Sequence, residues 1–171
     1  AAAGFINKVP EIVKEYGNEF TVATVGTIKV TPHSVNVIPG TCTFSLEIRD
    51  QSAEVMKLIE NHLRQLLEDI CKKYGVTSTF VPTSYHDPAP MSELVRGTIE
   101  EAVKELGIDY TVIPSGAFHD SLIMTSVFPT GMIFVPSKDG ISHSRYEYTA
   151  PEDIENGCNV LLNTVLKLDE K

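Results

Sequence analysis

The feature that most constrains the fold is a stretch of strict two-residue alternation at residues 42–49. Apolar side chains occupy the even positions, Cys42, Phe44, Leu46 and Ile48, and polar side chains occupy the odd positions between them. Because successive side chains of a strand point to opposite faces, this pattern predicts a β-strand with one buried and one exposed face. We therefore place a half-buried strand here and interpret the flanking segments around it.

Further helices and strands are predicted on both sides of this strand. Apolar residues at helical spacing predict a helix over residues 1–16, and β-branched residues at 20–30 predict a strand with a bulge at Gly26. A second helix is predicted at 53–74 and a further strand at 76–82. The order helix, strand, strand, helix, strand is that of a ferredoxin-like β-α-β-β-α-β unit that lacks its first strand.

The proline-rich stretch from Pro82 to Pro90 predicts a domain boundary, and we place the two domains at 1–84 and 85–171. The second half is predicted to contain a helix at 92–106, strands at 110–113 and 131–136, and a final helix with a Thr149–Glu152 capping box that buries Ile154, Cys158, Leu161 and Val165. This order is typical of the closing section of a larger α/β layer. The predicted fold class is therefore α/β, with an α+β first domain.

Composition excludes several classes of function. The net charge of −9 opposes binding to nucleic acid, because long-range repulsion acts between the chain and the phosphates. The sequence has no apolar run long enough to cross a membrane and no signal-peptide pattern, so we expect no membrane partner. Three widely spaced cysteines favour buried thiols in a reducing compartment, which predicts a cytoplasmic protein. Because the chain starts at Ala1 and not at Met, we expect it to begin inside a domain.

Two loops follow predicted strands and end in a histidine, at residues 114–120 and 136–144. His143 is either a metal ligand or a histidine hydrogen-bonded within its loop. His119 and Asp120 could supply a base or an oxyanion donor, or Asp120 could cap a helix at 121–126. A Ser142–His143 nucleophile–base pair is rejected, because adjacent side chains of an extended segment point in opposite directions.

Two residues of the first domain are candidates for binding a substrate. Arg49 projects from the polar face of the alternating strand, where its guanidinium suits a carboxylate, or it forms a surface ion pair with Glu47 or Asp50. Asn36 lies in the preceding loop, where asparagine is often structural. Residue type alone does not decide between a binding and a structural role for either residue. His86 and Asp87 lie in the proline-rich stretch, for which a linker is the favoured interpretation.

Three segments together resemble one known family. The run VGTIKVTPHSVNVIPGTCTFSLEIRD (25–50) is similar to the lid-domain signature of the amidohydrolases that include N-carbamoyl-L-amino-acid hydrolase, allantoate amidohydrolase and β-ureidopropionase. SGAFHDS (115–121) and MIFVPSKDGISHS (132–144), followed by Glu147, are similar to the closing motifs of that family's catalytic domain. The sequence departs from the family at Phe118, where glycine is usual, and at His33-Ser34, where Asn-Ala is frequent.

The resemblance implies the C-terminal part of a metal-dependent amidohydrolase related to zinc aminopeptidases, with a ferredoxin-like lid that also forms a homodimer. It implies that His143 is a ligand of a divalent metal, zinc or manganese, in a site that is incomplete in this chain. The same resemblance implies that the substrate, a small ureido or amide compound, is bound by Asn36, Arg49, Gly116, Ala117 and His119. The other metal ligands, the catalytic glutamate and a lid histidine would precede Ala1, so we expect this chain alone to be inactive.

Two other functions remain open at the level of sequence. The first is a non-catalytic dimerisation or binding module, in which the exposed edge of a strand pairs with a second copy. The second is a small self-contained metal hydrolase that uses His119, Asp120 and His143.

Overall fold

The structure, a computed structural model, describes residues 1–170 and divides into two compact units, Ala1–Pro88 and the part from Ala89 onward. The division lies inside the proline-rich stretch. The described chain contains both helices and short strands, so its fold class is mixed α/β. That the two units are a lid and part of a catalytic domain remains a prediction.

In the first unit, helix α1 (Ala2–Tyr16) is followed by strands β1 (Val22–Thr24), β2 (Ile28–Thr31), β3 (Thr41–Phe44) and β4 (Glu47–Arg49), and then by helix α2 (Ala53–Tyr74). Strand β1 pairs with β4 and β2 pairs with β3, both antiparallel. Strands β1 and β2 thus run along one side, and β3 and β4 along the other, of one antiparallel ribbon. We call it the lid ribbon (residues 22–31 and 41–49), after the lid domain that is predicted from the sequence.

The lid ribbon is interrupted by a bulge at Gly26, as the sequence predicts. The pair Thr24↔Glu47 is followed by the pair Ile28↔Phe44, so three residues on the first strand face two on the second. Ser45 bridges the interruption, because its N–H donates to the Thr27 carbonyl at 3.1 Å while its hydroxyl accepts from the Thr27 N–H at 3.1 Å. The single strand predicted at 20–30 is therefore two short strands.

The core of the first unit lies between the two helices and the lid ribbon. Phe5 and Val9 of α1 and Ile59, Leu63 and Ile70 of α2 are buried. The ribbon's apolar face packs on them with side chains that include Phe44, Leu46 and Ile48. Exposed and half-buried residues alternate without exception along 42–49, so the half-buried strand is confirmed. Helix α2 is capped by Ser52 at its start and by Gly75 at its end, where Gly75 adopts φ 64°.

The second unit contains helices α3 (Glu93–Glu105), α4 (Asp120–Met124) and α5 (Pro151–Asp169), with a 3₁₀ turn at Lys138–Gly140. Helices α3 and α5 pack through small or branched buried residues: Thr98, Ala102 and Val103 from α3, and Val160 and Thr164 from α5. Both buried threonine hydroxyls donate to the carbonyl four residues earlier, at 2.8 Å and 2.7 Å. Neither threonine hydroxyl is therefore left without a hydrogen bond where the two helices pack.

Segment 131–136 lies against both long helices at two glycines. A Cβ atom added to Gly131 would lie 2.6 Å from Val95 Cγ1, and one added to Gly157 would lie 2.5 Å from Val135 Cγ1. The absence of a side chain at each glycine therefore sets how closely the segment approaches α3 and α5.

Several predictions for strands and for α5 are wrong. Residues 76–82, 110–113 and 131–136 form no hydrogen-bonded strand, because no other extended segment pairs with them within residues 1–170. The Thr149–Glu152 capping box does not form, since α5 begins at Pro151 with Ala150 as its cap and without a side-chain cap bond. The predicted buried stripe is exposed: Ile154, Cys158, Leu161 and Val165.

The three cysteines are free, but none is fully buried. Cys42 and Cys71 are half-buried and Cys158 is exposed, so the expectation of buried thiols is wrong for Cys158. Cys158 lies on the exposed side of α5, which the sequence had assigned to the core.

Candidate functional site

Arg49 stands at the end of the lid ribbon, opposite Val22. Its Nη2 donates to Glu47 Oε2 at 2.8 Å, and both side chains are about half exposed, 45% for Arg49 and 59% for Glu47. Asp50, the other partner considered, instead accepts hydrogen bonds from the Ser52 N–H at 2.8 Å and from the Thr21 hydroxyl. The structure thus shows the ion pair with Glu47, in an exposed position where such a pair contributes little stability.

Asn36 belongs to the loop at the opposite end of the lid ribbon. This loop joins Thr31 to Thr41, and its base is closed by the Gly40 N–H, which donates to the Thr31 carbonyl at 3.0 Å. Asn36 is exposed, and its Oδ1 accepts from the Ser34 hydroxyl at 2.9 Å. The structure therefore places Arg49 and Asn36, the two residues of the first unit that are predicted to bind substrate, at different ends of one ribbon.

The loop before α4 is organised around Ser115. The Ser115 hydroxyl lies 3.3 Å from both the N–H and the carbonyl oxygen of Ala117, and 2.9 Å from His119 Nε2. His119 is partly buried, with its ring edge-on to Phe134 at 5.8 Å between centroids. Gly116 and Ala117, by contrast, are exposed. Gly116, Ala117 and His119, which are predicted to bind substrate, therefore lie in one tight loop that is closed by a serine–histidine contact.

Asp120 does not cap the helix that follows this loop. Helix α4 begins at Asp120 itself, His119 occupies the cap position, and no side-chain cap bond forms. The capping role considered for Asp120 is therefore wrong. The Ser115–His119 contact was not predicted; the signal that could have identified it is the spacing of four residues across the small residues Gly116 and Ala117.

His143 adopts an unusual backbone conformation in the second loop. Its φ of 55° lies in the left-handed region, which is uncommon for residues other than glycine. Its N–H donates to Glu147 Oε2 at 2.8 Å, which holds this turn, and its Nδ1 lies 3.2 Å from the Ser142 hydroxyl. The geometric ground for rejecting a Ser142–His143 nucleophile–base pair is therefore wrong, because the segment is not extended at His143. The pair is exposed, and no third group oriented to the imidazole is seen within residues 1–170.

An open pocket of about 480 Å³ lies among residues 138–148. Its lining is Lys138, Asp139, Ile141, Tyr146 and Tyr148, so it combines two phenol rings with one cation and one carboxylate. The Lys138 N–H donates to the Tyr148 carbonyl at 2.8 Å and thereby joins the two ends of the loop.

The described residues do not make a complete metal site. Within residues 1–170, no group of three or more histidine, cysteine, aspartate or glutamate side chains is close enough to hold a metal ion. His143 can offer at most one imidazole donor, whereas zinc takes about four ligands. The self-contained metal hydrolase considered from the sequence therefore has no support in this arrangement. In the same residues, no helix is both long and apolar enough to cross a membrane.

Comparison with known proteins places the chain in a family. Residues 8–167 match the peptidase family M20/M25/M40. The chain belongs to this family. The resemblance stated from the sequence is thus confirmed, and the M20/M25/M40 family is generally metal-dependent.

Several curated M20/M25/M40 relatives are similar over most of this chain. The N-carbamoyl-L-amino acid amidohydrolase of Geobacillus stearothermophilus is 39% identical over 98% of this chain and 41% of its own length. The ureidoglycolate hydrolase of Arabidopsis thaliana is 35% identical over 98% of this chain and 36% of its own length. The allantoate amidohydrolase of Bacillus subtilis is 34% identical over 85% of this chain and 35% of its own length. The chain therefore spans well under half the length of these relatives.

Solved structures agree with this assignment. The crystal structures of AtUAH in complex with (S)-hydroxyglycine and with glyoxylate both match with a TM-score of 0.93 and 34% identity, over 99% of this chain and 40% of theirs. An amidase of the hydantoinase/carbamoylase family from Burkholderia multivorans matches with a TM-score of 0.86 and 34% identity, over 97% of this chain and 40% of its own.

Proposed function

We propose that this chain is part of a metal-dependent amidohydrolase that cleaves a C–N bond of an N-carbamoyl amino acid or an allantoate-like ureido compound. The observation that supports this most is the similarity over 98% of the chain to an N-carbamoyl-L-amino acid amidohydrolase. Relatives named for allantoate and ureidoglycolate support the same substrate class. All three substrates carry a carbonyl group bonded to nitrogen, and hydrolysis cleaves that bond.

In this proposal the chain contributes substrate-binding groups and one metal ligand. His143 would supply its imidazole to a zinc or manganese ion, and the remaining ligands and the general base would lie in the part of the protein outside these 171 residues. When bound, the metal supplies polarisation of the carbonyl and activation of water. Because the described residues do not form that site, we expect this chain alone to be inactive.

Arg49 is proposed to bind the carboxylate of the substrate. (S)-hydroxyglycine and glyoxylate, the molecules bound in the AtUAH structures, are both small carboxylates. The exposed pair of Arg49 with Glu47 is worth no more than about 1 kcal/mol. A substrate carboxylate can therefore replace Glu47 at little cost, and a guanidinium can bind it with two parallel hydrogen bonds. Asn36, Gly116, Ala117 and His119 are proposed to bind the remaining polar groups.

The first unit is proposed to be the ferredoxin-like lid, and the second a part of the aminopeptidase-like catalytic domain. The order α1, lid ribbon, α2 is that of the middle of a β-α-β-β-α-β unit. We further propose that the lid makes the enzyme a homodimer.

Activity and metal content, measured together, test the proposed function. The full-length protein and this 171-residue chain are assayed with an N-carbamoyl-L-amino acid, allantoate and ureidoglycolate, and their zinc and manganese contents are determined. The full-length protein should bind metal and turn over at least one substrate, and the chain should do neither. Turnover by the chain alone, or none by the metal-loaded full-length protein, would show that the proposal is wrong.

A second candidate function is a dimerisation module without catalysis. It is favoured by the lid ribbon, because each of its strands has one hydrogen-bonded neighbour and thus one unpaired edge within residues 1–170. Sedimentation equilibrium of the chain decides this point. A concentration-independent monomer would exclude the module. A dimer lost in Ile28→Pro would support it, because the backbone of the preceding Thr27 bonds to Ser45 and the next N–H, that of Ile28, therefore points to the free edge of β2.

Substitution of Arg49 tests the proposed carboxylate contact in the full-length enzyme. Arg49→Lys removes the two-bond geometry, and the loss of a hydrogen bond to a charged group costs about 1.5–3 kcal/mol, which raises KM about 10- to 150-fold. Glu47→Gln removes the competing carboxylate and should lower KM by up to about five-fold. An unchanged KM in Arg49→Lys would refute the contact, and a higher KM in Glu47→Gln would show that Glu47 positions the arginine.

A further inference from the structure

The hydroxyl of Ser115 has three polar neighbours, and together they determine the direction in which its hydrogen points. Its Oγ lies 3.3 Å from the Ala117 N–H, 3.3 Å from the Ala117 carbonyl oxygen and 2.9 Å from His119 Nε2. A hydroxyl can donate one hydrogen bond and accept two. The Ala117 N–H can only donate, and the Ala117 carbonyl can only accept.

All three contacts are hydrogen bonds in only one arrangement. The Ser115 hydroxyl donates to the Ala117 carbonyl and accepts from the Ala117 N–H, so its remaining lone pair must accept from His119. This arrangement requires a proton on His119 Nε2. If Nε2 were the acceptor, the Ser115 hydrogen would point at the imidazole, and the Ala117 carbonyl would face the Oγ atom without a donor between them.

This arrangement leaves the other imidazole nitrogen as an acceptor. In a neutral imidazole, protonation of Nε2 makes Nδ1 the acceptor. Within residues 1–170, the polar contact of the His119 ring is with Ser115, and Phe134 packs edge-on against it at 5.8 Å. The serine and the phenylalanine thus hold the ring from two sides, and Nδ1 remains for a ligand that brings a hydrogen-bond donor.

We propose that Ser115 is a positioning residue, whose hydroxyl fixes His119 as the Nε2–H tautomer, so that Nδ1 accepts a hydrogen bond from an N–H of the substrate's ureido or amide group. This inference rests on the proposed function for the identity of the substrate, but not for the tautomer. Substrates of this class carry N–H donors beside the scissile carbonyl. The same arrangement excludes Ser115 as a nucleophile activated by His119, since Nε2 donates to the hydroxyl and cannot accept its proton.

Nitrogen NMR of the histidine rings tests the tautomer directly in the 171-residue chain. The chain has five histidines, so a ¹⁵N-histidine-labelled sample is compared with His119→Gln to assign the His119 signals. The neutral ring should show a protonated Nε2 and an unprotonated Nδ1. In Ser115→Ala, both nitrogen shifts should move towards the average of the two tautomers, and Ser115→Thr, which keeps the hydroxyl, should retain the original shifts. A wild-type ring protonated on Nδ1, or equal shifts in wild type and Ser115→Ala, would overturn the inference.

Kinetics of the full-length protein test the consequence for the substrate. Loss of the fixed acceptor removes one neutral hydrogen bond, so Ser115→Ala should raise KM about five-fold with little change in kcat, and Ser115→Thr should restore KM. If wild type turns over a ureido substrate and Ser115→Ala does so with the same KM, the role of Ser115 is wrong while the proposed function stands. If wild type turns over none of the substrates, the proposed function and the substrate contact of Nδ1 both fail, and the NMR comparison alone decides the role of Ser115.

Discussion

Two glycines in long helices of the second unit should respond in opposite ways to the same substitution. Gly97 lies within α3 and Gly157 within α5. A Cβ atom added to Gly97 would meet nothing within 4 Å, whereas one added to Gly157 would lie 2.5 Å from Val135 Cγ1. The two substitutions therefore differ in one respect: the new methyl group meets a neighbouring side chain, that of Val135, at Gly157 and not at Gly97.

The magnitudes follow from helix propensity and from steric overlap. Glycine to alanine within a helix stabilises by about 1 kcal/mol, so Gly97→Ala should raise the free energy of unfolding by about that amount. Gly157→Ala gains the same stabilisation from helix propensity. Its new methyl group also overlaps a packed side chain, however, and overpacking costs about 1–3 kcal/mol. We therefore expect Gly157→Ala to be neutral or destabilising by up to about 2 kcal/mol.

Urea unfolding followed by circular dichroism measures both variants, with hydrogen exchange of α5 as a local readout. Val135→Ala removes the overlapping atom, so Gly157→Ala made in that background should be stabilising by about 1 kcal/mol, like Gly97→Ala. If Gly157→Ala stabilised the wild-type chain as much as Gly97→Ala does, segment 131–136 would not pack on α5, and the reasoning would be refuted.

Three further predictions concern helix α2. Leu63→Ala, at a fully buried position, should destabilise by about 2–5 kcal/mol in urea unfolding, whereas Leu58→Ala, at a position 42% exposed, should cost less than about 1 kcal/mol. Ser52→Ala removes the cap hydroxyl and should cost about 1 kcal/mol, visible as faster exchange in the first turn of the helix. Burial alone would raise the pKa of Glu60, but hydrogen bonds and charge from its basic neighbours, Arg64 first among them, lower it below its ordinary value. Because the folded-state pKa is the lower one, the stabilisation is present above the unfolded-state pKa of about 4.3 and is lost as the pH falls through the folded-state value. Glu60→Gln should therefore be less stable than wild type at pH 7, and the difference should shrink as the pH falls below the unfolded-state pKa; a difference that does not change with pH would contradict this.

The first unit is predicted well because its signals are local. The alternation at 42–49 and the helical stripe of α2 each describe one element, and the apolar sides of both meet in one core around Phe5 and Leu63. The bulge at Gly26 was also predicted, since a glycine within a strand pattern often marks one. The strands predicted at 76–82, 110–113 and 131–136 do not form. A strand exists only through hydrogen bonds to a neighbouring strand, and sequence periodicity carries no information about that neighbour.

The site is predicted less completely, for a geometric reason. Histidine and small-residue motifs indicated the two loops, but backbone conformation determines which side chains meet in them. His143 lies at φ 55°, so its ring reaches Ser142, although an extended chain would separate them. Ser115 reaches His119 because the loop turns back over Gly116 and Ala117. The spacing across two small residues is a signal for the second contact, but the backbone conformation decides both.

Helix α5 explains why periodicity can identify an element and still assign the wrong face to the core. The helix is apolar on more than one side: Val160 is 4% exposed, while Leu161 and Val165 are 55% and 54% exposed. Which side meets α3 depends on how closely two helices can approach, and this depends on the size of the side chains at the contact. The side that carries Val160 and Thr164 packs against α3, and Gly157 lies against Val135 of segment 131–136. The larger apolar side chains then remain on the surface of the described chain.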